Sequence, residues 1–204
     1  RVTRNDDGSY SICNVVGADE YANGVDDNAF TNGAAIRALE YACEAARICN
    51  EPVPEIWEEV GRGIRILRFK DGVTREHATY NGEMIKQADV NLLGYPLYFV
   101  GDAESQKKDM EYYVDKIDPQ NGPAMSYSVF CVQYARMGDA KRAYEMFCRC
   151  YQPNLRTPFG VLAETPTSDN PYFMTGAGGL LQAVINGFCG LQITDGGVEQ
   201  LSSV

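Results

Sequence analysis

The chain has 204 residues, enough for one sizeable core, and its 45% hydrophobic, 23% charged and 11% aromatic content places it among globular rather than disordered or fibrous proteins. Eighteen basic against 28 acidic residues give a formal net charge of -10, which argues against nucleic acid or an anionic membrane as partner, because both require clustered Lys and Arg. No apolar run approaches the roughly 20 residues that span a bilayer.

Taken in chain order, the apolar positions Ala29, Ile36, Leu39, Ala42, Cys43 and Ala46 recur at helical spacing and predict a long helix from Asp26 to about Ile48, with Asp26 standing where an N-cap would. Pro54 opens a second helix, with Ile56, Trp57, Val60, Ile64 and Leu67 on one face and acids in its first turn; the two make a helical hairpin. Residues 69–83 read as a polar, Gly-punctuated excursion with a β-like piece at Thr74 to Tyr80. Helices are then expected at Lys86 to Tyr98, Ser105 to Ile117, Ala124 to Met137, Ala140 to Tyr151 and Thr175 to Phe188. Between the last two lies a long loop, Leu155 to Phe173, carrying aromatics and a carboxylate; structureless loops of this length are usually functional or disordered.

Two segments place a carboxylate in a Gly, Pro or aromatic-rich setting just outside a helix, Val15 to Asn32 and Pro158 to Tyr172. Apolar neighbours disfavour the charged form of a carboxyl group, which is one way to make a proton donor at neutral pH, so paired carboxylates are a hypothesis here. By residue type alone the signal is modest, since most of 28 acids on such a chain face water. Seven cysteines (Cys13, Cys43, Cys49, Cys131, Cys148, Cys150, Cys189) with no C-x-x-C spacing read as reduced packing residues. The Gly176, Gly178 and Gly179 cluster reads as close helix packing, Trp57 as core, and His77, the single histidine, has no local partners for a metal or a Ser-His triad. No metal and no cofactor is implied.

The run GADEYANGVDDNAFTN (Gly17 to Asn32) resembles the signature around the general acid of glycoside hydrolase family 65. KQADVNLLGYPL (Lys86 to Leu97) resembles that family's second signature, and TGAGGLLQAVINGFCGLQITDGG (Thr175 to Gly197) resembles the closing helix of its barrel. The resemblance implies a mainly α fold, the second half of an (α/α)6 barrel over residues 1–189, with short β segments in the 69–83 excursion and near the C-terminus, where 190–204 begin a small β region. It implies Glu20 as general acid, with Lys86 and Gln87 contacting the glucose and Asp19 and Tyr21 flanking the acid in the substrate-binding set. The hydrolases of the family carry a loop similar to PFGVLAET, whose glutamate, here Glu164, is the general base. NGPAMSYS (Asn121 to Ser128) stands where the family's phosphorylases carry a phosphate motif, and its departure from that motif favours hydrolysis.

The expectation is therefore an inverting exo-α-glucosidase acting on α-1,2-linked glucosides of the kojibiose type, with an acid-trehalase-like hydrolase or a disaccharide phosphorylase as alternatives. A rival of another class is a non-catalytic helical piece or scaffold, self-associating through inner helix faces. The start RVTRNDDGSY is neither a methionine nor a signal peptide, so the chain is expected to be cut from a longer one and the compartment stays open.

Overall fold

The computed structural model describes residues 2–99, 102–170 and 172–201. Helix α1 spans Ala29–Ile48, and Asn28 rather than Asp26 caps it, its side chain accepting from the Thr31 amide at 2.9 Å. Asp26 instead accepts the Asn14 amide at 2.8 Å. The helix ends where Asn50 turns to φ 55°, the Asn50 and Glu51 amides closing on the carbonyls of Arg47 and Ala46 in a Schellman pattern. Helix α2 (Glu55–Gly63), with Glu55 and Glu58 opposing its N-terminal dipole, packs back on α1 through Gly61 and Leu39. It stops short of Leu67 and leaves Ile56 exposed, so the apolar face read from the spacing is only partly used.

The excursion over residues 69–83 contains no strand; a single bridge pairs Arg68 with Thr74. The physical reason is where its backbone bonds go: the Glu76 carbonyl accepts from Ala29, the Ala78 amide donates to Asp26, and the Thr74 amide donates to the Asp109 carboxylate at 2.7 Å. The helix expected at Lys86 to Tyr98 shrinks to one 3-10 turn, Val90–Leu93, with Gly94 and Pro96 directly beyond it. Its first residues bend away from a helix and hydrogen-bond to residues 18 and 19.

Helices α3 (Ala103–Tyr113), α4 (Met125–Arg136), α5 (Ala140–Arg149) and α6 (Met174–Gln182) lie close to their expected places, α6 running on into π-helical turns at Ala183–Phe188. Gly138 at φ 79° and the Asp139 N-cap, which accepts the Arg142 amide at 3.0 Å, close the α4–α5 hairpin. Helix α4 is buried on almost every side, with Phe130, Cys131, Val132 and Ala135 fully enclosed; each large apolar side chain so buried stabilises by roughly 1.5–3 kcal/mol. A Cβ on Gly179 would fall 2.5 Å from Ser128 Oγ, and one on Gly176 2.8 Å from Phe173, so these two glycines serve close packing; Gly178 meets nothing within 4 Å and does not.

Three short antiparallel pairs complete the fold: β1 (Val2–Arg4) with β2 (Tyr10–Ile12), β3 (Leu155–Arg156) with β4 (Val161–Leu162), and β5 (Leu191–Thr194) with β6 (Gly197–Gln200). All seven cysteines are free; Cys43, Cys131 and Cys150 are buried as expected of packing residues, whereas Cys13, Cys49 and Cys189 are exposed. Trp57 is half-buried beside α1 rather than enclosed in the core. Among the described residues no helix is long and apolar enough to cross a membrane.

Candidate active site

Glu20 rides at the tip of a loop whose base is closed by reciprocal backbone hydrogen bonds between Val15 and Val25, at 2.9 and 3.0 Å. The loop is stitched to residues 86–89. The Lys86 amide donates to Asp19 Oδ1 at 2.7 Å, the Ala18 and Asp19 amides donate to Asp89 Oδ2 at 2.8 and 3.3 Å, and the Gln87 side chain donates to the Ala18 carbonyl. Asp89 also accepts from Asn28 Nδ2 at 3.0 Å and from the Phe30 amide at 3.4 Å, which ties the acid loop to the start of α1. Gly17 allows this approach, since a Cβ there would lie 2.3 Å from Asn28 Nδ2 and 2.4 Å from Asp89 Oδ2.

Glu164 follows β4, and its carbonyl accepts the Ala124 amide at 3.2 Å and Asn154 Nδ2 at 3.0 Å, so α4's start and the buried Asn154 fix its backbone. Beyond it the Arg156 guanidinium donates to the carbonyls of Thr165, Pro166 and Ser168 at 3.2, 2.8 and 3.0 Å, and to those of Pro153 and Leu155. Arg156, Asn154 and Thr167, whose hydroxyl donates to the Gln120 carbonyl, thereby hold a loop with little regular structure.

These two segments meet at Lys86. Its ammonium hydrogen-bonds Glu20 Oε2 and lies 3.9 Å from Glu164 Oε1. Two oxygens held by one nitrogen at such contacts are no more than about 6 Å apart. The Glu20 hydrogen bond, and the charges of both glutamates, raise the Lys86 ammonium above its ordinary value against its partial burial. Glu20 is 57% exposed and Glu164 35%, so Glu20 sits in the open beside a cation rather than in the partly apolar pocket its neighbours suggest. Tyr21 is exposed and its hydroxyl donates to Asp118 Oδ2 at 2.8 Å; Asp118, also bonded by the Gln120 and Asn121 amides, lies well below the usual carboxylate range.

Asp19 is buried and faces inward, accepting the Tyr21 amide at 3.2 Å as well as that of Lys86. Behind it lie Asp89 and Glu76, both 0% exposed. Burial raises Asp19 despite its hydrogen bonds, pushes Asp89 up to about 6, and with the charges of Asp89 and Asp19 pushes Glu76 up to about 9. Neither Glu76 nor Asp118 stands out in the sequence, where each is one acid among 28; Asp89 sits inside the KQAD motif, a signal that was present. An apolar groove of about 550 Å³ between α1 and α2, lined by Ile36, Leu39, Trp57 and Phe99, contains none of these residues. His77 contacts Thr79 and the Tyr80 ring, and no cluster of metal-ligating side chains occurs among the described residues.

The sequence profile of the glycosyl hydrolase family 65 central catalytic domain matches residues 1–66. The chain is 48% identical over 203 residues to a kojibiose hydrolase of Mucilaginibacter mallensis, covering all of this chain and 30% of that protein. It is 38% identical over 196 residues to a protein-glucosylgalactosylhydroxylysine glucosidase of Dictyostelium discoideum, covering 93% of this chain and 27% of that one. The fold is similar to that of a putative kojibiose phosphorylase from the human microbiome, with a TM-score of 0.69 over 96% of this chain and 31% of the other, at 18% identity. The chain thus spans about 30% of the length of the curated relatives it matches, and across that span its motifs and its helical fold agree: it belongs to glycoside hydrolase family 65.

Proposed function

We propose that this chain carries the acid and base of an inverting α-glucosidase, as part of an (α/α)6 catalytic barrel of the relatives' length. The observation that carries the reading is that one ammonium, Lys86, reaches both Glu20 and Glu164, two carboxylates 144 positions apart on separate loops. Inverting pairs stand roughly 6.5–9.5 Å apart to leave room for a water on the far face of the sugar; with Lys86 drawn between them, the nearest oxygens of Glu20 and Glu164 stand just short of that spacing.

Glu20 donates its proton to the leaving glycosidic oxygen, while Glu164 takes a proton from the water that attacks the anomeric carbon from the opposite side. Without substrate, Lys86 occupies the gap between them. Glucose hydroxyls that accept from the Lys86 ammonium draw it off the Glu20 carboxylate, which then takes from solvent the proton it gives to the leaving oxygen, so that filling of the subsite arms the acid. Tyr21 and its Asp118 partner border the same opening. Hydrolysis rather than phosphorolysis is supported by Ser126 and Ser128, whose hydroxyls are buried and engaged with the Ala88 amide and the Met125 carbonyl. The Ser128 proton is committed to the Met125 carbonyl, and Ser126, which accepts the Ala88 amide, is 1% exposed, so neither hydroxyl is presented to a phosphate ion. The kojibiose and glucosylgalactosylhydroxylysine activities of the relatives named above support an α-1,2-linked glucoside as substrate.

The test is turnover of kojibiose by the full-length enzyme with and without phosphate, with the anomer of the first glucose released followed by proton NMR. β-Glucose without any need for phosphate is expected, and Glu20→Gln and Glu164→Gln should each lower kcat by about 10²–10⁴-fold. Initial α-glucose in excess of what the reducing-end unit supplies, or a strict phosphate requirement, refutes the assignment of Glu164.

A further inference from the structure

Glu76 has no place in the reaction as described, yet its situation is unusual. Its side chain is fully enclosed, and neither carboxyl oxygen receives a hydrogen bond from any N–H or O–H donor. A buried carboxylate left so bare forfeits its hydration without return. Its carboxyl group faces those of Asp19, the residue preceding Glu20, and of Asp89. Two carboxylates cannot share a dry site while both are ionised, so one of them carries a proton. Asp19 Oδ1 already accepts two amides, from Lys86 and Tyr21, which makes it the acceptor of the pair and leaves Glu76 as the acid.

We propose that Glu76 donates a carboxylic-acid hydrogen bond to Asp19 and thereby acts as the positioning residue for Glu20. Resting on the reading of Glu20 as general acid, the chain of contacts is short. Glu76 holds the Asp19 carboxylate, Asp19 holds the Tyr21 and Lys86 amides, and these flank the Glu20 side chain and the cation it pairs with. The opposite end of Glu76 is anchored by its own carbonyl, which accepts the Ala29 amide at 2.7 Å at the start of α1. The groups facing its carboxyl are acidic or phenolic: Asp19 from the acid loop, Asp89 from the 86–89 segment, Glu83 and Tyr80 from its own excursion, and Tyr113 from α3. That environment keeps the proton in place at neutral pH, as the burial and the two neighbouring negative charges require.

The experiment joins a spectroscopic and a kinetic readout on the full-length enzyme. At pH 7 the infrared spectrum of the wild type minus that of Glu76→Gln should contain the carbonyl stretch of one protonated carboxylic acid, and Glu20→Gln should retain that band. Kinetically, Glu76→Gln, whose amide can still donate to Asp19, should hold kcat within about threefold of wild type, whereas Glu76→Leu should lower kcat about 10²-fold with little change in KM, the cost of a misplaced catalytic group. Absence of the band overturns the proposal even if Glu76→Leu does not fold. A band accompanied by a folded Glu76→Leu enzyme with unchanged kcat overturns the positioning role. Full turnover by Glu20→Gln would instead refute the acid assignment, and the positioning role with it, while the band still reports whether Glu76 holds its proton.

Discussion

Glu76→Gln should stabilise the fold, and more so at pH 8 than at pH 5. Below its ordinary value of 4.5 the Glu76 carboxyl is protonated in folded and unfolded chains alike. Between 4.5 and about 9 the unfolded chain releases that proton and the folded chain keeps it, so the wild type loses stability as pH rises through this window and levels off above it. At 1.36 kcal/mol per unit, the loss attributable to this one group reaches about 3 kcal/mol by pH 7. This is a large share of the 5–15 kcal/mol that typically separates folded from unfolded states. Glutamine has no proton to release, so its stability curve lacks the decline. Asp19 and Asp89, both raised by burial, titrate in the two proteins alike and largely cancel in the difference. The assay is urea unfolding of the 204-residue chain at half-unit steps from pH 5 to 8.5, with reductant present to keep its seven cysteines as thiols. A packing mismatch from the substitution would offset the two curves by a constant. Parallel curves across the whole range would therefore refute a neutral Glu76, whatever their separation.

Gly17→Ala drives a methyl group against the Asn28 amide and the Asp89 carboxylate, and should cost about 1–3 kcal/mol in thermal unfolding while weakening activity through the displaced acid loop. An unchanged Tm would show that the loop yields freely at that point. Lys86→Met removes the ammonium shared by the two glutamates, and kcat/KM on kojibiose should fall at least about 10²-fold, read from steady-state rates. A loss of less than tenfold would leave Lys86 without a role in holding the sugar.

The helices α1, α4 and α5 were legible from apolar spacing, although the cap of α1 is Asn28 rather than Asp26, α4 has no side-chain cap, and α5 is opened by Gly138 and Asp139. Lys86 to Tyr98 misled because Val90 and Leu93 have helical spacing while Gly94 and Pro96 stop the helix, and because its first residues serve the acid loop instead of a helix ladder. The excursion at 69–83 carries residues of strand character, yet its amides and carbonyls are claimed by α1 and α3. In the site, residue type alone marked two loops with carboxylates, and the motifs singled out Glu20, Glu164 and Lys86, which the fold brings together. The role of Glu76 was invisible for a plain reason: desolvation belongs to the packed molecule, and a buried acid is spelled with the same letter as a solvated one.

Arg156 grips the loop beyond Glu164 entirely by main-chain oxygens. Such a fastening is indifferent to the side chains it crosses, so Thr165, Pro166 and Ser168 could be exchanged to reshape the rim of the opening without untying the loop. Much of the positional information sits in one guanidinium, whose planar fork a lysine could not reproduce. A rim that can be rewritten around a fixed base is the natural place to alter which sugar the opening admits.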